Sequence, residues 1–214
     1  AYHREDILRI PPFPTIRFQE PEIQWINEDW QDRVIEAIPE DDRPIVEFVR
    51  FDGVRAGDAR ARTWDCVDFD TKIITIKRTF SARELREVTK AKSIKYLPLL
   101  PEMEELLKSI RGIAGFVFRN KYGRPYTGKI RLIWNKARDS VGAPKVTLYQ
   151  GTRHSCGTQL IEAGNPLEVV QKLLGHKRPD MTLRYAKITN SAVRRMLESR
   201  SQKDDHHQTI NKDP

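Results

Sequence analysis

The sequence is poor in the residues that build a disulfide framework, a membrane anchor or a secretion signal. Cys66 and Cys156 are the only cysteines among its 214 residues, too few for a disulfide-stabilised scaffold or a cysteine-rich zinc site, and they fit a reducing compartment. No apolar run approaches the roughly 18–20 residues of a membrane span, and the chain does not open with a signal peptide. We therefore expect a cytoplasmic protein that makes no contact with membranes.

Motifs that hold metal ions or nucleotide cofactors are also missing. No HExxH, Cys–His or Asp-x-Asp spacing occurs, and no glycine-rich loop is available to hold a phosphate. The histidines lie apart in the sequence except for one pair near the C-terminus; they are His3, His154, His176, His206 and His207. The sequence therefore predicts no cofactor and no metal, which argues against a nucleotide-driven enzyme.

Positive charge is abundant but unevenly distributed. The chain carries 38 Lys and Arg against 30 Asp and Glu, a net charge of +8. Residues 1–49 hold 5 basic and 12 acidic side chains, a net charge of −7, so the remainder carries +15. An imbalance of that size favours a polyanion such as nucleic acid, although ribosomal proteins and membrane-surface binders are also basic.

The chain divides into a lead-in, one domain and a polar tail. Four prolines within residues 1–23 predict an extended linker, residues 24–200 carry the ordered patterns, and residues 201–214 predict a disordered tail. Apolar runs rich in β-branched residues predict strands near residues 67–69, 73–76 and 94–99, with residues 83–92 as a hairpin loop. Apolar periodicity and capping residues predict helices at 28–38, 44–52, 56–62, 101–110, 127–139, 152–163, 166–174 and 190–198. The predicted fold class is α+β and mainly helical, with helices around a small antiparallel sheet.

Two arginines occupy positions that suit an anion. Arg55 follows a glycine turn with Asp58 three residues later, which is typical either of a surface ion pair or of a guanidinium held towards a phosphate. Arg153, followed by His154, opens a predicted helix, where free backbone N–H groups favour an anion. Pairing of Arg153 with a nearby carboxylate is the alternative.

Three other segments have both a functional and a purely structural interpretation. Lys90 and Lys92 lie in the predicted hairpin loop, where basic residues are usually just solvated. His176 follows the glycine that ends a predicted helix, and a histidine there commonly caps the helix. Tyr185 lies nine residues further on and, taken alone, is most simply a core or rim residue.

The order and spacing of these residues resemble the catalytic domain of the tyrosine recombinase, or phage integrase, family. The resemblance covers roughly residues 24–190, and its most specific part is Leu174-Gly175-His176 followed by Tyr185 nine residues later. It implies helices around a small three-stranded antiparallel sheet, the fold of DNA breaking-rejoining enzymes. It also implies a site-specific recombinase, encoded by a bacterium or a phage, that works as a tetramer on double-stranded DNA, while we predict that the isolated domain is monomeric.

The resemblance also implies a role for each candidate residue. Arg55 and Arg153 would bind the phosphate under attack, and Tyr185 would be the nucleophile that forms a 3′-phosphotyrosyl intermediate, without metal or ATP. Lys90 would be the general acid, with Lys92 as the alternative. His176 would also be catalytic and would bind the phosphate or handle protons. Asp58 would have a supporting role and orient Arg55, and Gln150 and His154 are the other supporting candidates.

One position departs from the family pattern. The family usually has histidine three residues before the second arginine, and here that position is Gln150. Glutamine can donate a hydrogen bond to a phosphate, but it cannot act as acid or base at neutral pH. Water, His176, His154 or, after a shift of register, Tyr149 would then exchange the proton of Tyr185. Two other interpretations stay open: a type IB topoisomerase-like relaxation enzyme, and an inactive DNA-binding regulator, which Gln150 favours.

Overall fold

The computed structural model describes residues 22–87, 94–112, 114–126 and 128–186. The predicted linker and tail, the predicted helix at 190–198, and the loop lysines Lys90 and Lys92 lie outside these ranges, apart from residues 22 and 23 of the linker. The described helices are α1 (Glu28–Glu36), α2 (Arg43–Asp52), α3 (Ala56–Arg60), α4 (Pro101–Ser109), α5 (Lys129–Ser140), α6 (Ser155–Glu162), α7 (Leu167–Leu174) and α8 (Pro179–Ala186). None of the helices described is long and apolar enough to cross a membrane.

The first two helices begin and end where the sequence signals predict. The side chain of Asn27 accepts a hydrogen bond from the Trp30 backbone N–H at 3.1 Å, which caps α1. Helix α2 has a proline in its first turn and ends at Gly53, whose φ of +58° is a left-handed conformation that glycine adopts without strain. The chain therefore turns sharply at Gly53 and places Arg55 directly before α3.

A three-stranded antiparallel sheet lies against the helices, as predicted. Its strands are β1 (Val67–Asp68), β2 (Ile73–Ile76) and β5 (Lys95–Pro98), with β2 in the centre. In β5 the side chains of Lys95 and Leu97 alternate with the exposed Tyr96, so Lys95 shares the inward face with the buried Leu97. The sheet thus points a lysine towards the helices.

The structure corrects the prediction for the segment after β2. Residues 83–92 were expected to be a hairpin loop, but β3 (Thr79–Ser81) and β4 (Glu84–Arg86) pair as a separate two-stranded antiparallel sheet. All three residues of β4 are exposed and mostly polar, so the segment lacks the alternation of apolar residues that identifies a strand from sequence. Helix α8 was also not predicted from the sequence.

The buried apolar residues form two clusters. The larger one fills the space between the first helices, the sheet and α5, where Trp134 is fully buried. The smaller one consists of Ile23, Ile161, Val170, Leu174 and Tyr185. Tyr185 therefore packs in the second cluster, beneath residues of the N-terminal segment.

Candidate active site

Arg153 lies on a wide helical turn that the sequence builds locally. Residues Gln150–His154 form a π-helical turn that continues into α6. At its beginning the Gln150 side chain accepts a hydrogen bond from the Thr147 N–H at 2.8 Å, while the Thr147 hydroxyl accepts one from the Gln150 N–H at 3.3 Å. This is a reciprocal capping box. Gln150 is thus engaged with its own backbone, and its side-chain oxygen caps the helix.

Gly151 permits this turn to lie directly on the core. A Cβ added there would lie 2.1 Å from Cζ2 of Trp134, whose indole N–H donates to the Val146 carbonyl. The Gly151 carbonyl also accepts a hydrogen bond from the buried Gln31 side chain at 2.7 Å. The turn is therefore held on both sides, and only glycine fits at this position.

We expect Gly151→Ala to lower the free energy of unfolding by about 2–3 kcal/mol, because overpacking against Trp134 outweighs the roughly 1 kcal/mol that alanine gains in a helix. Urea unfolding followed by circular dichroism measures the difference. Gly128→Ala is the matched control, since its Cβ would meet only an arginine side-chain nitrogen at 4.0 Å. An unfolding curve of Gly151→Ala that coincides with the wild-type curve would show that Trp134 does not hold the turn.

Arg153 ties together three distant parts of the chain. Its side chain is 1% exposed, and its two terminal nitrogens donate to the Gly53 carbonyl at 2.7 Å and to the Leu174 carbonyl at 2.5 Å. Its Nε has no hydrogen-bond partner among the described residues. The carboxylate pairing considered from sequence is not observed, because backbone carbonyls take that place. One N–H group of Arg153 is therefore buried without an acceptor among the described residues.

Arg55 and Arg153 line one cavity of about 580 Å³, together with Asp58 and two lysines, Lys95 and Lys172. Within the described residues, neither a hydrogen bond nor an ion pair engages the Arg55 guanidinium. The ion pair with Asp58 that the spacing suggested is therefore not formed. Asp58 is buried, and its Oδ1 lacks a hydrogen-bond partner in the described part of the chain. Four cations against one carboxylate give this cavity a positively charged lining, which favours an anion.

Lys95 and Lys172 are the two cations of the cavity that sequence reasoning missed, and Lys95 is the more buried of the two. Its ammonium donates to the Leu173 carbonyl, next to the carbonyl that Arg153 holds, so two cations meet the C-terminal end of α7. Burial, together with the charge of Arg153, lowers the pKa of Lys95 to about 8. Lys95 alternates with Leu97 and Leu99 along the predicted strand, so it shares their face of the sheet. That pattern could have identified Lys95 from the sequence.

His176 and Tyr185 lie beside the cavity rather than in its wall. His176 follows Gly175, whose left-handed φ of +64° ends α7, and its Nδ1 lies 2.9 Å from the Thr182 hydroxyl. The rings of His176 and Tyr185 are stacked, 5.9 Å apart and 7° from parallel. Tyr185 is 2% exposed. The phenol is thus buried between α6, α7 and the histidine.

The electrostatics of these groups favour neutral imidazoles and a protonated phenol. Burial, followed by the charges of Arg153 and Arg55, lowers the pKa of His176 to about 4. Burial raises the pKa of Tyr185 above its usual value, while Arg153 acts in the opposite direction. Tyr185 therefore needs both a base and a change of surroundings before it can act as a nucleophile.

The structure brings most of the predicted residues together. Arg55, Asp58 and Arg153 share the cavity, and His154, His176 and Tyr185 form a second group beside it. Gln150 lies on the same turn but is turned back on its backbone. Lys90 and Lys92 lie outside the described residues. In the described ranges, no group of three or more His, Cys, Asp or Glu side chains is placed to hold a metal ion.

A sequence model of the phage integrase family matches residues 17–192 of the chain. The tyrosine recombinase XerC of Leptospira interrogans is 22% identical over 209 residues, which cover 89% of this chain and 64% of that protein. Across the first curated relatives it matches, the chain spans less than two thirds of their length.

Solved structures share the fold. The Tn1549 transposon integrase bound to a circular intermediate DNA has a TM-score of 0.69 at 19% identity, over 85% of this chain and 67% of that one. The catalytic domain of bacteriophage HP1 integrase has a TM-score of 0.60 at 21% identity, over 83% of this chain and 95% of that one. The architecture of helices around a small antiparallel sheet is therefore that of integrase catalytic domains.

Proposed function

Because the chain belongs to the phage integrase family, we propose that it is the catalytic part of a site-specific DNA recombinase that cleaves and rejoins DNA through Tyr185. The observation that carries the proposal is the cavity in which Arg55, Arg153 and Lys95 converge. A phosphodiester is the anion that this family acts on. A structure that resembles this one, the Tn1549 transposon integrase, was solved in complex with DNA.

The two arginines would stabilise the phosphate as it is attacked. Negative charge grows on the two non-bridging oxygens during the reaction, and guanidinium N–H groups placed there stabilise the transition state more than the ground state. Arg55, without a partner in the described structure, supplies a whole guanidinium edge. Arg153 supplies Nε, while its terminal nitrogens keep the cavity together. Asp58, the one carboxylate in the lining, limits the positive charge of the cavity.

Tyr185 would attack phosphorus and form a 3′-phosphotyrosyl bond as the 5′-oxygen leaves. Lys90 would protonate that oxygen, with Lys92 as the alternative donor, and His176 would contact the phosphate. The ester keeps the energy of the broken bond, so rejoining by the 5′-hydroxyl needs neither ATP nor a metal. Double-stranded recombination sites are the proposed partner, with a tetramer on DNA and a monomeric isolated domain.

A suicide substrate tests the proposal. A duplex carrying the recognition site and a nick next to the scissile phosphate loses its short 5′-hydroxyl strand after cleavage, which prevents rejoining. We expect a covalent protein–DNA complex, and mass spectrometry of the digested complex should place the nucleotide on the peptide that contains Tyr185. Binding of the substrate without any covalent complex would favour the inactive regulator instead.

The full-length protein separates recombination from simple relaxation. Plasmids carrying two sites should yield exchanged products, and a supercoiled plasmid with one site should be relaxed slowly at most. Rapid relaxation of plasmids that lack a site, without exchange on two-site plasmids, would contradict the recombinase assignment and favour the topoisomerase-like activity.

A further inference from the structure

The nucleophile of the proposed reaction has no proton acceptor at the position where the family usually has one. Gln150 occupies that position, and it can neither take up a proton nor leave its capping box without cost, since its oxygen accepts from the Thr147 N–H. Tyr185 must nevertheless lose its proton when it attacks. Another group beside the phenol has to accept it.

His154 is placed next to the phenol on the same helix face as Gly157. The rings of His154 and Tyr185 meet edge to face, 5.7 Å apart and 81° from parallel. The phenol lies across Gly157, where an added Cβ would come within 3.1 Å of Cε1 and 3.3 Å of Cζ of Tyr185. Cζ carries the hydroxyl, and residues three apart share a helix face. The hydroxyl end of Tyr185 therefore lies against the face that presents His154.

One ring nitrogen of His154 has no partner and can serve as an acceptor. Its Nδ1 is buried and has no hydrogen-bond partner among the described residues. The backbone of Gln24 acts on the ring in the direction that favours its protonated form. A neutral imidazole has one N–H and one lone pair. With its N–H on the other nitrogen, His154 holds the lone pair on Nδ1.

The surroundings of His154 keep it unprotonated before DNA binds. Burial lowers its pKa to about 4, and the charges of Arg153 and Arg184 act in the same direction, against the Gln24 contact. The other titratable rings around it are Tyr149, at 4.5 Å between centroids, Tyr185, and His176, whose pKa the charge of His154 lowers in turn. A phosphodiester entering the cavity brings negative charge, which stabilises the imidazolium.

His176 is the competing imidazole, and its geometry is less suitable. Its Nδ1 is engaged by the Thr182 hydroxyl at 2.9 Å. Its ring is nearly parallel to that of Tyr185, so the two rings present their faces to each other. The lone pairs of imidazole nitrogens lie in the ring plane, and a stacked arrangement directs them away from the phenol. The perpendicular arrangement of His154 permits an in-plane contact.

We propose that Nδ1 of His154 accepts the proton of Tyr185 during DNA cleavage, which rests on the proposed function of Tyr185. The Oη–H bond breaks as the proton moves to Nδ1, and the oxygen forms its bond to phosphorus. The bond from phosphorus to the 5′-oxygen breaks, and that oxygen takes a proton from the general acid. During rejoining the 5′-hydroxyl gives its proton back to the general acid and its oxygen forms a bond to phosphorus, while the phosphotyrosyl bond breaks and the imidazolium returns its proton to Oη. Over both steps no proton is gained or lost.

His154→Gln separates the base from the structural contact. The glutamine side chain keeps a hydrogen-bond donor at this position, but it has no basic nitrogen. We expect the rate of covalent complex formation on the suicide substrate to fall by roughly 100-fold or more, within the range typical of general bases, with unchanged DNA affinity. Gln159→Ala is the matched control, because it removes the hydrogen bonds to the Ile26 carbonyl and to the Gln31 side chain but keeps the imidazole. Its rate should stay within about threefold of wild type.

Chemical rescue provides the second measurement. His154→Ala leaves a cavity beside Tyr185, and added imidazole should restore a large part of the cleavage rate with saturation. A purely structural role would not respond to imidazole. Wild-type cleavage rates in both His154 variants, or a slow His154→Ala protein that imidazole does not accelerate, would overturn the inference. If the wild-type protein forms no covalent complex at all, the proposed function fails instead, so the two failures are distinct.

Discussion

Replacing Tyr185 by phenylalanine is expected to abolish the covalent protein–DNA complex while leaving the fold intact. The ring contacts to His176, His154 and Gly157 are preserved in phenylalanine. Within the described residues no hydrogen bond holds the Tyr185 hydroxyl, so removing it leaves no polar group without a partner. We therefore expect the free energy of unfolding to change by less than about 1 kcal/mol. Loss of the attacking oxygen leaves nothing to form the ester. Denaturing gels of the suicide-substrate reaction give the readout.

Tyr149→Phe serves as the matched control for that experiment. Tyr149 also lies next to His154, with ring centroids 4.5 Å apart, and is 41% exposed. We expect this variant to form the covalent complex in the same amount as wild type. If the Tyr185→Phe protein still forms the complex, or the Tyr149→Phe protein does not, Tyr185 is not the nucleophile.

Substituting Arg153 should damage both activity and stability. Loss of an oriented donor to a developing oxyanion costs roughly 100- to 1,000-fold in rate, and we expect Arg153→Ala to lie at the upper end, because the guanidinium also organises the cavity. The same change leaves the Gly53 and Leu174 carbonyls without their donors. Each buried carbonyl left without a donor costs about 1–3 kcal/mol, so the free energy of unfolding should fall by about 2–6 kcal/mol.

Arg153→Lys distinguishes charge from geometry. The ammonium keeps the positive charge, but it cannot reach both carbonyls and a phosphate in the fork geometry of a guanidinium. We expect cleavage to stay well below wild type and stability to be partly recovered. Single-turnover cleavage and thermal unfolding measure the two effects, and Arg86→Ala, an exposed arginine on β4, should change neither. Full activity of Arg153→Lys would mean that only charge is required.

The sequence was sufficient for the features that depend on local signals. The cap at Asn27, the turn at Gly53 and the end of α7 at Gly175 were predicted from single residues with known conformational preferences. The spacing from His176 to Tyr185 identified the family because it is short and specific. The T-x-x-Q pattern at Thr147 and Gln150 was also visible in the sequence, and it would have explained the glutamine as a cap.

The remaining features depend on contacts between distant residues. Whether Lys95 enters the cavity is decided by the packing of β5 against α7, and a strand pattern shows only that the lysine lies on the inward face. The failed ion pair of Arg55 and Asp58 was a local expectation that tertiary burial overrode, because Asp58 lies in the core. Burial of Tyr185 under Ile23 likewise brings together residues from opposite ends of the domain.

The large sequence separation between the residues in these contacts also affects when the site can form during folding. The hydrogen bond from Arg153 to Gly53 joins residues 100 positions apart, and the one from the Ile26 N–H to Ser155 spans 129. Closing such loops costs entropy before the contacts compensate for it, so they belong to late stages of folding. A chain still emerging from the ribosome holds the first helices and the sheet before the turn that carries Arg153 exists. The proposed phosphate site is therefore expected to form late in folding, together with the final packing of the domain.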